Sequence, residues 1–181
     1  MSITSPAGGT ARSAARAAAP AVARRRMTPG ELATWRLLLD TTADLRRTLG
    51  AELQASNVTA GDYQVMLALT EAGSRRLRSA ELAAAIDWER SRLSHHLGRM
   101  ERRGLIRRDE CAADSRGAEV SLTAEGARMF RAAAGPHLRA VKRYFADALT
   151  PEQFGALGEI LQAVRDHHRS AVALAGPGGP R

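Results

Sequence analysis

Cysteine and aromatic residues are scarce in this sequence. Among 181 residues there is one cysteine, with three Phe, two Trp and two Tyr. A single cysteine excludes an intramolecular disulfide and a zinc site built on several thiolates, which is typical of a reducing compartment. Cys111 falls on a predicted strand, where we expect a half-buried spectator; a thiol whose oxidation disturbs function is the alternative.

Acidic residues are outnumbered by basic ones. The chain has 19 Asp and Glu against 27 Lys and Arg, a formal net charge of +8. Such an excess predicts attraction to a polyanion, which for a soluble protein most often means nucleic acid. The alternative is that the positive charge serves only solubility. The positions of the arginines decide between these two explanations.

Long apolar runs and catalytic signatures are also missing. No stretch approaches the roughly 18 consecutive apolar residues of a membrane span, so we expect a soluble protein. We find neither a Gly-x-Ser-x-Gly elbow nor a phosphate-binding glycine loop, and no nucleophile beside a base. We therefore predict no catalytic residues, no cofactor and no enzyme; a helical enzyme for an acidic substrate would need a carboxylate cluster that we do not find.

The five histidines do not predict a metal site. Four of them form the adjacent pairs His95-His96 and His167-His168. Adjacent helical residues point about 100° apart, so one pair cannot readily hold one ion, and no nearby carboxylate completes a ligand set. We expect no metal.

The two ends differ in composition from the rest of the chain. Residues 1–27 carry no acid and almost no large apolar side chain, which predicts a disordered basic arm. An organellar targeting peptide has a similar Arg-rich composition and is the alternative. Residues 175–181 repeat Gly and Pro and are predicted to be a loose tail.

Helix start signals lie near both ends of the remaining segment. Thr28-Pro29-Gly30-Glu31 and Thr150-Pro151-Glu152-Gln153 each combine an N-cap, a proline at the first helical position and a partner for a capping box. Thr59 is predicted to cap another helix. A long helix is predicted between residues 123 and 149, with a kink at Gly135-Pro136.

The terminal helices carry more apolar surface than a small domain needs. This excess predicts that residues 28–56 and 124–174 pack against the same helices of a second copy through a twofold interface. A monomeric bundle that uses the same leucines internally is the alternative.

Residues 59–123 are predicted to form a winged helix-turn-helix. A short strand, Arg76 to Arg78, precedes a helix capped by Ser79, and Asp87 is predicted to cap a second helix almost at once. Gly104 stands where a left-handed C-terminal cap belongs. Two helices joined by so tight a turn are typical of a helix-turn-helix.

The second of these helices has two contrasting faces. At about 100° per residue, Leu93, Leu97 and Met100 form one narrow apolar stripe. The opposite side and its flanks carry hydroxyls and hydrogen-bond donors, which suit base edges and phosphate oxygens, whereas a merely solvated face would mix in acids. The predicted DNA contacts on this helix are Arg90, Ser91, Arg92, Ser94, His95 and Arg99, with Arg102 on the same side.

A predicted hairpin follows, with strands at 105–111 and 119–123. Its tip places Arg116 at the end of a thin ribbon that fits a narrow minor groove. Asp114 is predicted to hold Arg116 in one orientation, and Arg107 and Arg108 at the base are predicted to meet phosphates. An ordinary Asp-Ser-Arg-Gly turn is the alternative.

These motifs together resemble the multiple-antibiotic-resistance regulator (MarR) family over about residues 28–172. The matching segments are Leu82-Ala83 with Ile86, Ser91 to Leu97, Arg99 to Arg108, Asp114 to Gly117, and Val120 to Gly126. The resemblance implies a mainly α-helical fold with a small β-wing, in which long N- and C-terminal dimerisation helices accompany a winged helix-turn-helix lobe. The long arm before Thr28 and the paired His95-His96 depart from the family.

The resemblance also implies a function. It implies an obligate, triangular homodimer that binds a pseudo-palindromic operator, with the second helix in the major groove and Arg116 in the minor groove. It implies a ligand cleft as well, for which Trp35, Tyr63, Trp88 and His137 are candidates, because rings with one polar tip suit small phenolic effectors. Plain core packing of these rings is the alternative.

We therefore expect a cytoplasmic, nucleoid-associated DNA-binding regulator, a repressor that a small ligand releases. Release requires that the ligand favour a lobe spacing that no longer matches the half-sites. The alternative function is a sequence-indifferent architectural DNA-binding protein whose basic arm supplies much of the affinity through counterion release.

Overall fold

The computed structural model describes residues 26–110 and 118–175. The chain divides into two units, Met1–Leu39 and Asp40–Arg181, with the boundary inside the first helix. The elements of the described residues are α1 (Pro29–Gln54), α2 (Ala60–Glu71), β1 (Arg76–Arg78), α3 (Ser79–Ala85), α4 (Arg90–Arg102), β2 (Ile106–Glu110), β3 (Ala118–Leu122), α5 (Ala124–Tyr144), a 3-10 turn (Ala146–Ala148) and α6 (Pro151–Ala175). The chain is thus mainly α-helical with one small sheet, which confirms the predicted fold class.

Reciprocal capping boxes start three of the helices; those at Thr28 and Thr150 were predicted, and at Thr59 only the N-cap was. In each box a threonine hydroxyl accepts from a backbone N–H three residues on, and that residue's side chain accepts from the threonine N–H. The pairs are Thr28 with Glu31, Thr59 with Asp62, and Thr150 with Gln153. These local signals fix the first turns of α1, α2 and α6.

The three strands form one antiparallel sheet in the order β1-β3-β2. β2 and β3 are the hairpin, with Ile106 opposite Leu122 and Arg108 opposite Val120. β1 adds to the other edge of β3, with Arg78 opposite Glu119. The sheet therefore ties the hairpin to the start of α3.

The core of the Asp40–Arg181 unit lies among α2, α3, α4, α5 and the sheet. The predicted stripe of α4 belongs to it, since Leu93, Leu97 and Met100 are each at most 1% exposed. Other fully buried members are Val58, Val65, Met66, Leu69, Leu82, Leu105 and Val120. Burial of one α4 face directs the other to the surface.

Thr123 and Gly126 join α4, the sheet and α5. The Thr123 hydroxyl donates to the Gly104 carbonyl at 2.6 Å and accepts from the Gly126 N–H at 3.0 Å. A Cβ on Gly126 would lie 1.9 Å from the Leu105 carbonyl oxygen. Only glycine lets the first turn of α5 pass so close to this backbone.

Two predicted helix caps are wrong. Ser79 is the first residue of α3, with Arg78 as N-cap, and its hydroxyl instead donates to the Ala118 carbonyl at 3.0 Å. Asp87 lies in the turn before α4, which has Glu89 as its N-cap. Asp87 has φ 53°, a left-handed conformation that a short polar side chain tolerates, so it makes the turn.

Two further backbone predictions concern glycine and proline. Gly104 follows α4 with φ 69°, which confirms the left-handed cap. α5 continues as one helix through Pro136, and the kink at Gly135-Pro136 stays a prediction. None of the helices in the part of the chain that the structure describes has the length and apolar character needed to cross a membrane.

Helix α6 is almost wholly exposed. From Pro151 to residue 174, Leu157 alone is intermediate in burial, and every other residue is exposed. The exposed side chains include large apolar ones, namely Phe154, Ile160, Leu161, Val164, Val172 and Leu174. Most helical stability comes from packing an apolar face, so this face needs a partner surface.

Candidate nucleic-acid interface

The outer face of α4 is exposed and basic. Its exposed residues are Arg90, Ser91, Arg92, Ser94, His95, Arg99 and Arg102. Glu101 is the single acid of this helix, and Arg108 donates to its carboxylate through Nε at 2.9 Å and through Nη2. The face therefore presents donors and hydroxyls without an uncompensated acid.

Aromatic rings lie beneath two arginines of this face. The guanidinium carbon of Arg92 is 4.1 Å from the centroid of the Trp88 ring. Nη2 of Arg99 donates to Nδ1 of His96 at 2.8 Å. The two adjacent histidines differ in burial, since His95 is exposed and His96 is buried.

The base of the hairpin is bonded within the protein. Nε of Arg107 donates to the Ser121 hydroxyl at 3.2 Å and lies 3.0 Å from Asp109. The hydrogen bonds of Arg108 to Glu101 hold the pKa of that carboxyl below its usual range. Both arginines remain predicted phosphate contacts. Residues 111–117, which include the predicted contacts Asp114 and Arg116 and the thiol of Cys111, lie outside the described residues.

A buried carboxylate fixes α4 to α2. Asp62 is 2% exposed and accepts from Nη1 of Arg103 at 2.6 Å, and Arg103 also donates to the Asn57 carbonyl at 2.7 Å. Nε2 of His96 lies 3.0 Å from Asp62, an electrostatic contact not aligned as a hydrogen bond. Burial acts to raise the pKa of Asp62, but His96, Thr59 and Arg103 outweigh it and hold that pKa well below its usual range.

A cleft of about 510 Å³ opens beside the start of α4. Its walls come from α1, α2, α5 and the turn before α4, and Arg92 of α4 also lines it. The lining residues are Arg46, Leu49, Gly50, Leu53, Ala60, Tyr63, Gln64, Ile86, Asp87, Trp88, Arg92 and His137. The mixture of apolar walls with two guanidinium groups suits a small aromatic anion or phenol.

Three of the predicted ligand contacts meet in this cleft. The ring centroids of Tyr63 and His137 are 4.5 Å apart with the planes tilted by 53°, and Trp88 also lines the cleft. Burial lowers the pKa of His137, and its buried Nδ1 has no hydrogen-bond partner among the described residues. Trp35 is 49% exposed on α1 and belongs to the Met1–Leu39 unit, so its assignment as a ligand contact stays a prediction.

The comparisons with known proteins agree with this architecture. The MarR family model matches residues 56–117. AbsC, a MarR family transcriptional regulator from Streptomyces coelicolor, is 36% identical, with a TM-score of 0.75 over 81% of this chain and 99% of AbsC. The chain belongs to the MarR family of transcriptional regulators.

Two further solved structures are similar to this MarR family member. Sco3205 from the same organism, solved in complex with DNA, is 36% identical over 81% of this chain and 92% of its own, with a TM-score of 0.75. The organohalide-sensing regulator RdhR-CbdbA1625, solved with 2,4-dichlorophenol, is 22% identical over 78% and 82%, with a TM-score of 0.70, and shows the fold alone. No curated protein matches the sequence.

Several residues that fix α4 to α2 or line the cleft were missed from the sequence. Asp62 carried a signal, because it occupies the capping-box position after Thr59. Arg103 and the cleft residue Arg46 carried none, since their contacts join segments far apart in the chain. His96 was recognised only as half of a histidine pair.

Replacing Asp62 is expected to weaken the MarR lobe in a pH-dependent way. Asp62→Asn should lower the free energy of unfolding by about 2–4 kcal/mol at pH 7, because it leaves Arg103 and the buried site without a negative charge. The folded-state pKa of Asp62 is depressed. Its stabilisation is therefore present above the unfolded pKa of about 4 and is lost as pH falls through and below that value.

Urea unfolding at about pH 7, 5 and 3 would measure this difference. The gap between wild type and Asp62→Asn should shrink as pH falls. Asp44→Asn is a matched control, because Asp44 is an exposed carboxylate that also pairs with an arginine, Arg47. A gap that is independent of pH would contradict the assigned role of the Asp62 charge.

Proposed function

We propose that this MarR-family protein is a homodimeric repressor that binds a pseudo-palindromic operator and is released by a small aromatic ligand. The observation that carries the proposal is the division of α4 into a buried apolar stripe and an exposed face of Ser, His and Arg. Residues 59–123 bind DNA, residues 28–56 and 124–174 dimerise, and residues 1–27 and 175–181 flank this domain. The protein acts on DNA in the cytoplasm as a binding protein, without catalysis.

The chemistry of the α4 face supports major-groove recognition. Guanidinium groups donate in pairs to guanine O6 and N7, and serine hydroxyls adapt to several base edges. Arg107, Arg108 and Arg90 add positive charge for phosphates, which strengthens binding in a salt-dependent manner. Arg116 is the proposed contact in the minor groove next to the half-site, with Asp114 as its proposed partner.

The exposed apolar side of α6 supports a homodimer. A second copy covers that side in a twofold interface, and the two α4 helices then enter successive major grooves about 10 base pairs apart. The solved complex of Sco3205 with DNA, from a protein 36% identical to this chain, supports the same use of the lobe.

The cleft supports release by a ligand. Tyr63, Trp88 and His137 offer aromatic walls. Arg46 and Arg92 attract an anionic group. The 2,4-dichlorophenol complex of RdhR-CbdbA1625 provides a phenolic example. The ligand releases DNA because it binds better to a lobe spacing that does not match the operator.

Arginine substitutions on the predicted DNA face test the proposal. Arg92→Ala, Arg99→Ala and Arg116→Ala are each expected to weaken operator binding about tenfold, as a lost base or groove contact of about 1–3 kcal/mol does. A mobility-shift assay at fixed salt would measure this on a duplex selected from a random pool. Arg131→Ala removes the same charge from an exposed position on α5 and is the matched control.

Two results would contradict the proposal. Wild-type affinity in Arg92→Ala and Arg116→Ala would show that these surfaces do not bind the operator. Equal affinity for selected and scrambled duplexes, with most binding lost on deletion of residues 1–27, would instead indicate an architectural DNA-binding protein.

A further inference from the structure

Trp88 and His96 form one aromatic unit beneath the DNA face. Their ring centroids are 5.1 Å apart with the planes at 84°, an edge-to-face arrangement that is favourable for aromatic rings. Trp88 is half-buried and His96 is buried. The unit spans the turn before α4 and the middle of that helix.

The aromatic unit packs directly on α2. A Cβ on Gly61 would lie 2.9 Å from atoms of both rings, so the two side chains contact the backbone of α2 where it carries no side chain. Nε2 of His96 also lies 3.0 Å from the buried Asp62 carboxylate. Contacts with α2 therefore hold both rings in place.

Each ring contacts a different arginine of the DNA face. The guanidinium carbon of Arg92 lies over the Trp88 ring, 4.1 Å from its centroid, and Nδ1 of His96 accepts from Arg99 at 2.8 Å. A guanidinium can only donate, so Nδ1 must carry a lone pair in this arrangement. A cation–π contact with the Trp88 ring uses no hydrogen-bond acceptor of the protein, so the N–H groups of Arg92 remain available to a ligand or to DNA.

We propose that Trp88 and His96 are positioning residues that hold Arg92 and Arg99 ready for DNA before it binds. A free arginine side chain loses conformational entropy when a phosphate or a base fixes it, whereas a side chain already ordered on a ring loses less. This inference rests on the proposed function, because it assigns the two arginines to DNA recognition. It adds two residues that act without touching DNA.

A double-mutant cycle tests the role of Trp88. Trp88→Leu, in the full-length protein, removes the aromatic face and is expected to lower affinity for the selected duplex about fivefold. Trp88→Phe keeps a face and should stay within about twofold of wild type. In an Arg92→Gln background, Trp88→Leu should have almost no further effect, because the residue that it positions is gone.

A second measurement follows the arginine itself. The Nε–Hε NMR signal of Arg92 in the free protein should show an upfield ring-current shift that Trp88→Leu abolishes and Trp88→Phe retains. This signal reports the stacking even where the leucine variant loses stability, since the phenylalanine variant provides the comparison.

The outcomes separate this inference from the proposed function. If the wild-type protein selects no duplex, the proposed function fails and the inference fails with it. If the wild type binds and Trp88→Leu weakens binding equally in both Arg92 backgrounds, Trp88 contacts DNA or supports the fold by itself, and only the inference fails. An unshifted Arg92 signal in the wild type would also overturn it.

Discussion

Replacing Leu161 and Val164 of α6 with aspartate is expected to give monomers that bind the operator at least 100-fold more weakly. The two side chains are 50% and 62% exposed in the single chain and belong to the apolar side of the helix. In a dimer, two buried and unpaired carboxylates per chain oppose association. A monomer binds one half-site and loses the gain of about 10²–10⁴ that joining two binding modules provides.

The control for this experiment lies on the same helix. At about 100° per residue, Ser170 and Ala173 fall on the side opposite Leu161 and Val164, and both are exposed. The variant Ser170→Asp/Ala173→Asp adds the same charge and should remain dimeric by light scattering. If the Leu161→Asp/Val164→Asp variant were also dimeric at the same concentration, α6 would not be the interface.

Gly126→Ala is expected to destabilise the winged lobe by at least about 3 kcal/mol. The new Cβ would meet the Leu105 carbonyl oxygen at 1.9 Å and its carbonyl carbon at 2.8 Å. Backbone atoms cannot move aside as the end of a flexible side chain can, so α5 must shift away from the end of α4. That shift also breaks the hydrogen bonds of Thr123 that join the two helices.

Guanidinium unfolding followed by circular dichroism would measure the effect of Gly126→Ala. Gly98→Ala is the comparison, because Gly98 is within α4 and a Cβ there meets nothing within 4 Å. This substitution should be neutral or stabilising by up to about 1 kcal/mol, since alanine has the higher helix propensity. Equal unfolding midpoints for the two variants would contradict the close approach at Gly126.

Local signals made much of the fold predictable. The capping boxes at Thr28, Thr59 and Thr150 depend on residues three positions apart, and a sequence shows such pairs directly. The buried stripe of α4 followed from helical periodicity, because one face of an amphipathic helix must meet the core. The fold class and the exposed basic face were both predicted in this way.

The predictions failed where the backbone conformation, or a contact between residues far apart in the chain, determines the structure. Aspartate is a common N-cap residue, but Asp87 has a left-handed backbone conformation and lies in the turn before α4. Contacts such as Arg103 with Asp62, across 41 positions, depend on how the helices pack. The same reason hides from the sequence that Tyr63, Trp88 and His137 share one cleft.

The guanidinium of Arg92 is common to the cleft and to the outer face of α4. Under the proposed function, ligand and operator would compete for this residue, and thermodynamic reciprocity would then require each to weaken the other by the same factor. A chromosome offers a vast number of non-specific sites that also occupy this face. The concentration of effector that gives half-maximal induction in a cell should therefore exceed the dissociation constant measured on the protein alone.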